Sequence, residues 1–527
     1  MENCMKKKNI VFICTDQHRT DTLSAYCRDT VCRTPNLDAL AAESVVFDHA
    51  YASNPVCSPA RCSMQTGLYP SKTGMETNLY QTGTRTHELQ DTDYLLSRRL
   101  LRAGYTAAYT GKWHLGFGRD KEASAEGQIL LDRLKHGSME GAAYMGYGTL
   151  PTDVGYLGDD FPGHGNGGWA YPQYQEYLRD HGLTLEIINQ GPDRRPGDHS
   201  FMGEVVSPVE TTIEYYVTER AIRLTEEMAG LGKPFFMNLN FWGPHEPFFA
   251  PSAWLDVYRH MELPQWPSFE EPAENMPRIY EMLRRPEKNW TFFQETLRHY
   301  YACVSHIDSQ IGRYLTWLKD NGLYDDTVIL FSADHGDNQG CHGKLENKSY
   351  GMYDDTARIP LMIKPAADGA EIGEGLKGYH QKALVGTCDI YATILGQAGF
   401  VPEDDHGFGD GRDLSGFITN PEQAWSDEIV TEGMGALDIV ATQRMYRKGR
   451  YKYIFTAGDM DQLFDLEADP FEMNNLARKA EWAPLLLEMK NNFADWMKRH
   501  RDPAEAGFCK MNRIGKWAVE QEEEYGM

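Results

Sequence analysis

Residues 9–18 read NIVFICTDQH. The run up to Cys14 is apolar or β-branched and shows no polar alternation. That is the pattern of a strand buried on both faces. Such a strand belongs to a parallel sheet covered by helices, and ligands bind outside the carboxyl ends of those strands. The polar residues Asp16, Gln17 and His18 stand at that end.

The same unit recurs along the chain. NLDALAAESVVF, residues 36–47, has helical spacing. TDYLLSRRLLRAGY reads as a helix stopped by Gly104 and leads into a strand over 105–110. VTERAIRLTEEMAGLG leads into a strand over 234–241, and HIDSQIGRYLTWLKDNG into one over 327–333. This alternation predicts an α/β fold whose large, mainly parallel mixed sheet is flanked by helices. Residues 119–207 interrupt it with Gly, Tyr, Asp and Pro, over a length no simple connection needs. They read as an excursion over one face, either shaping a binding site or serving as a structural flap. After about residue 415 strands and turns dominate, followed by a helix over 482–499. Two units are expected: 1–415 carrying the chemistry, and 416–527 as a smaller α+β domain with a small antiparallel sheet.

Four proposed strands end in polar clusters. They are Asp16-Gln17, Lys112-Trp113-His114, His245-Glu246 and Asp334-His335. In a parallel sheet these ends converge. Asp16, Gln17, Asp334 and His335 suit a hard divalent cation. Lys112, His114 and His245 suit an anion held beside it. Taken alone, Asp16 or Asp334 equally suits a helix N-cap, and His245 an ordinary hydrogen-bonding role.

Composition narrows the function. A net charge of −25 argues against binding nucleic acid or anionic membranes through bulk charge. No stretch approaches the roughly 18 apolar residues of a membrane span. Lys6 to Lys8 precede an apolar run that ends at Cys14, too short for the core of a signal peptide, so a cytoplasmic protein is expected. The ten cysteines form no C-x-x-C pair, which argues against a zinc site. Two of them lie in NPVCSPARCSMQTGLYPSKTG, residues 54–74. Pro59 suits the first turn of a helix, Gly67 its stop, and Cys57 its N-cap, with Arg61 one turn on. On physical grounds Cys57 is either a thiolate nucleophile or an inert buried thiol.

Cys57-Ser58-Pro59-Ala60-Arg61, with the downstream Thr66-Gly67, resembles the C-x-P-x-R signature of the type I sulfatases, in the alkaline-phosphatase-like superfamily. GKWHLG, GPHEPF, FSADHGD, YDDTARIPLMIK and QLFDLEADPFEMNNLA resemble further sulfatase blocks in the family's order. The resemblance implies that a maturation enzyme oxidises Cys57 to formylglycine, whose hydrate attacks the sulfur of a sulfate ester. The second hydroxyl then expels sulfate. It also implies that Asp16, Gln17, Asp334, His335 and modified Cys57 hold one divalent metal ion, with Ca²⁺ favoured and Mn²⁺ or Mg²⁺ as alternatives. Arg61 would orient the formylglycine, Lys112 and His114 would contact the sulfate, and His245 would protonate the leaving oxygen. Lys348 best matches a second sulfate-binding lysine, with Lys344 as competitor. Asn78 is either a substrate contact or a turn residue.

Many family members carry Asp-Asp and Asp-Asn where this chain has Asp16-Gln17 and Asp334-His335. The Gln/His version also occurs in the related phosphonate monoester and phosphodiester hydrolases. Three readings follow: a sulfatase acting on sulfated carbohydrates or on aryl or alkyl sulfates, a phosphonate or phosphodiester hydrolase, and an unmodified protein that only binds sulfated ligands. No readable code names the leaving group.

Overall fold

The computed structural model describes residues 7–79, 86–118, 144–145, 147–164, 166–169, 171–189, 202–348, 351–367, 376–435 and 439–518. Its centre is a nine-stranded mixed sheet. The strands Thr327–Ala333, Asn9–Asp16, Phe235–Pro244 and Thr106–Gly111 lie next to one another in that order, all parallel. Their side chains alternate between two cores. Ile10, Phe12 and Cys14 join Val328 and Leu330 on one face, while Val11 and Ile13 join Ile329 and Phe331 on the other. Burial on both faces is why these runs are continuously apolar.

Val45–Tyr51 and Leu361–Lys364 extend the sheet antiparallel to each other, and Tyr379–Gly386 adds parallel to Val45–Tyr51. Residues 36–47 are therefore not one helix. The helix is Pro35–Ala42, and Val45, Val46 and Phe47 belong to the strand. The β-branched pair loses χ1 freedom in a helix and packs well on a pleated surface. The helix read within 306–322 is longer, Trp290–Asp320, because Asn289 caps it roughly four turns earlier by accepting from the Phe292 amide.

The excursion is not wholly irregular. It contains the helix Pro172–Asp180, whose Tyr174 and Leu178 are buried in the second core. At the far end, four antiparallel strands run in the order Glu428–Gly433, Gln443–Lys448, Tyr451–Thr456 and Gln462–Asp465. The helix Ala483–His500 packs on them through Phe493, Trp496 and Met497. Among the described residues no helix is long and apolar enough to cross a membrane.

Candidate active site

Register brings the strand ends together. Thr15 lies opposite Ala333, Asp16 opposite Pro244, and Gly111 opposite Asn240. Asp16-Gln17, Asp334-His335, His245 and Lys112 thus leave one edge of the sheet side by side. Gly111 has φ 94°, and a Cβ there would lie 1.6 Å from the Asn240 carbonyl oxygen. Only glycine lets the chain turn so closely past that strand and deliver Lys112.

Cys57 comes from the helix Cys57–Thr66, every residue of which is buried. Val56, in extended conformation, holds the N-cap position, and Cys57 is the first helical residue rather than the cap. Val56 has no capping oxygen, so the cap is supplied from a distance: Asn78 Oδ1 accepts from the Ser58 amide at 3.1 Å. Gly67 ends the helix with φ 71°.

Asp16, Cys57, Asp334 and His335 each place a ligand atom within 4.8 Å of the others. His335 Nδ1 donates to the Gly336 carbonyl at 2.8 Å, which turns Nε2 towards Cys57 Sγ at 3.2 Å. The same Nε2 lies 3.7 Å from Oδ1 of both Asp16 and Asp334. Gln17 sits at φ 63°. Its amide nitrogen donates to the Asp337 and Glu246 carboxylates at 2.5 and 3.1 Å, so its carbonyl oxygen turns inward, 3.1 Å from Lys348 Nζ. Three oxygen ligands and one imidazole nitrogen, each oriented by an outer partner, fit a hard or borderline divalent cation.

The cations converge on the same point. Lys112 Nζ ion-pairs with Asp16 Oδ2. Lys348 Nζ lies 3.2 Å from Cys57 Sγ and 2.9 Å from His245 Nε2. Lys344 instead pairs with Glu270 at 3.4 Å and sits over the Phe269 ring. Among the described residues, Arg61 makes its hydrogen bonds to partners other than Cys57. Its Nε donates to Asp334 Oδ2 at 2.8 Å, and Nη1 donates to the Lys112 carbonyl and the Asn240 side chain. His114, at φ 57°, places its ring 5.0 Å from that of His164.

These charges set the protonation states. Burial pushes the Cys57 thiol up, as does Asp16, but Lys112, Lys348 and His335 outweigh them and leave it below its ordinary value. Burial would raise Asp16, yet Lys112 above all holds it well below the usual carboxylate range. Burial, then Lys348, drives His245 well below the usual imidazole range; burial, then Lys112, does the same to His114. Strand-end reasoning gave no role to His164, Glu246, Asp337 or Asn240. Glu246 immediately follows His245 and Asp337 stands two places after His335, whereas His164 lies among glycines with no periodicity to mark it.

A sulfatase family model matches residues 8–400. The chain belongs to the sulfatase family. A second model, for the C-terminal region of N-sulphoglucosamine sulphohydrolase, matches residues 340–499. The sulfatase is 28% identical to a choline-sulfatase of Rhizobium meliloti (strain 1021), over 97% of this chain and 91% of that protein. It is 26% identical to an N-acetylglucosamine-6-O-sulfatase of Bacteroides thetaiotaomicron, over 94% and 87% of the two chains. The phosphonate monoester hydrolase of Agrobacterium radiobacter shares the fold, with a TM-score of 0.71 at 23% identity over 94% of this chain and 96% of that one. This sulfatase is an enzyme, a sulfuric ester hydrolase of alkaline-phosphatase-like fold.

Proposed function

We propose that this sulfatase hydrolyses the sulfate monoester of a saccharide, with Cys57 as precursor of the nucleophile. The observation that carries the reading is the meeting of Lys348 with Cys57 and His245, and of Lys112 with Asp16, at the ligand cluster. Converted to formylglycine, Cys57 would supply a hydrated aldehyde as nucleophile. Asp16, Gln17, Asp334 and His335 would hold a divalent cation, Ca²⁺ first and Mn²⁺ or Mg²⁺ as alternatives, which when bound supplies charge neutralisation.

The protein's own groups do the rest. Lys112 and Lys348 bind and orient the sulfuryl oxygens as point charges. His245 Nδ1 donates to the Glu246 carbonyl at 2.7 Å, which fixes the ring and leaves Nε2 as the acceptor facing the Lys348 ammonium at 2.9 Å, so that a proton passed from Lys348 through Nε2 would reach the leaving oxygen. Arg61 positions: it locks Asp334 and the backbone of Lys112. Because Cys57, Pro59 and Arg61 are all buried, a maturation enzyme must reach them before the fold closes. The saccharide reading is supported by the N-sulphoglucosamine sulphohydrolase match over 340–499 and by the N-acetylglucosamine-6-O-sulfatase relative.

The test has two arms. Mass spectrometry of the Cys57 peptide from the native host should find the aldehyde. Rates on sulfated monosaccharides, choline sulfate and aryl sulfate should then exceed those on phenylphosphonate and phosphodiesters, with a saccharide first. A lead for the phosphorus substrates would overturn the sulfatase assignment of the site, and only thiol at Cys57 would overturn the nucleophile.

A further inference from the structure

A third imidazole reaches the anion site. His164 lies in the excursion, yet its backbone is pinned to the site's own elements. The His114 amide donates to the Gly163 carbonyl at 3.1 Å, and the Gly163 amide to the Gly116 carbonyl at 2.9 Å. Trp242, three residues before His245, donates its indole N–H to the His164 carbonyl at 2.8 Å. The segment is thus fastened to both strand ends that carry the other two imidazoles. Its ring lies 5.0 Å from that of His114 and 4.7 Å from that of His245. One nitrogen of His164, one of His245 and a carboxylate oxygen of Asp16 fall within 4.8 Å of one another.

His164 Nε2 is buried and has no hydrogen-bond partner among the described residues. Leaving a buried imidazole nitrogen unmatched is costly, and such groups need an explanation. Packing alone does not require a ring nitrogen here, since a leucine or phenylalanine would fill the space without that cost. The Asp16 carboxylate of that cluster already takes Lys112 on Oδ2, and the rings beside His164 are the imidazoles of His114 and His245. An oxyanion brought in by Lys112 and Lys348 supplies the missing acceptor.

We propose that His164 is a further substrate-binding residue, whose Nε2–H donates to a sulfuryl oxygen between His114 and His245. This rests on the sulfuryl group sitting at Lys112 and Lys348, as proposed above. It gives the excursion a direct part in the site: the segment that shapes the leaving-group side also closes the ring of donors around the sulfuryl group.

Calorimetric titration of sodium sulfate into the metal-loaded protein tests this without turnover. His164→Leu should weaken sulfate binding about 10- to 100-fold, the size of one lost hydrogen bond to a charged group. His164→Gln, whose amide nitrogen reaches nearly the place of Nε2, should stay within about 3-fold of wild type. Lys348→Ala is the control for the site itself. Weak binding in Lys348→Ala with unaltered binding in His164→Leu would overturn the role of His164 alone. Unaltered binding in both would overturn the placement of the sulfuryl group and the inference with it. Equal weakening in His164→Leu and His164→Gln would also reject the donor role, as a packing residue would then be at fault. With matured enzyme, kcat/KM on 4-nitrophenyl sulfate should follow the same order of variants.

Discussion

At the scale of single residues, two cysteines one helical turn apart have opposite fates. Cys57 faces Lys348 and His335, which help depress its thiol. Cys62 turns into the core, where burial pushes its thiol up to about 12. Cys62→Ala should therefore retain turnover and lose about 1 kcal/mol of stability in urea unfolding, as for a small core truncation. Cys57→Ala should abolish turnover with the fold intact, and residual activity in it would contradict the nucleophile assignment. Arg61 is a sharper case. Its guanidinium is buried against Asp334 at 2.8 Å, closer than the His335 imidazole at 3.7 Å. Arg61→Ala should cost about 3–5 kcal/mol, because a buried carboxylate is left without its partner. Arg61→Lys should rescue little, since one ammonium cannot serve Asp334, the Lys112 carbonyl and Asn240 from a planar fork. Denaturant midpoints of the metal-free variants decide this, and a wild-type midpoint for Arg61→Ala would refute the argument.

At the scale of elements, what could be read from sequence was whatever follows from one strand or one helix alone. Continuous apolar runs marked the parallel strands, and the polar residue after each run marked the site, because register places the strand ends level. The part that eluded sequence depends on partners far along the chain. The strand Val45–Tyr51 was absorbed into a helix because its pairing to Tyr379–Gly386 and Leu361–Lys364 has no local sign. Asn78 read as a turn or a substrate contact, whereas it caps a helix that begins twenty-one positions earlier. Asn78→Ala should lower stability by about 1 kcal/mol, the usual worth of an N-cap. Glu246 is a similar long-range brace. It accepts from Gln17 Nε2 at 3.1 Å and from Asn347 Nδ2 at 2.5 Å, tying a proposed metal ligand to the residue before Lys348. Glu246→Ala should raise the Ca²⁺ or Mn²⁺ concentration for half-maximal thermal stabilisation about 10- to 100-fold. No change in that concentration would mean that Gln17 needs no such brace.

At the scale of the whole molecule, the loop that carries Lys348 is anchored by a buried ionic knot. His342 Nδ1 lies 2.8 Å from Glu271, its Nε2 3.2 Å from Asp355, and its ring stacks on Tyr353 at 3.6 Å. Asp355 also takes Arg19, three residues beyond the first strand. Burial works against the His342 cation, but Asp355 and Glu271 outweigh it and raise its pKa from 6.5 to about 9. The folded state therefore holds a proton that the unfolded chain releases. The stabilisation is complete below about pH 6.5 and is lost as pH rises through about 9, at about 1.4 kcal/mol per pH unit. Two other sets of groups bracket this window. Burial raises Glu214, Glu246, Glu432 and Glu472 from 4.5 to about 7, so their loss of stability with rising pH fades out as pH passes through about 7. Burial lowers Lys364 from 10.5 to about 8, so its opposite contribution begins only above that. These groups titrate alike in wild type and in a His342 variant, so between pH 7 and 8 the His342 slope is the difference between the two profiles. In urea unfolding, wild type should lose about 1 kcal/mol more across that interval than His342→Gln. Parallel pH profiles for the two proteins would show that the knot is not held by a charged His342.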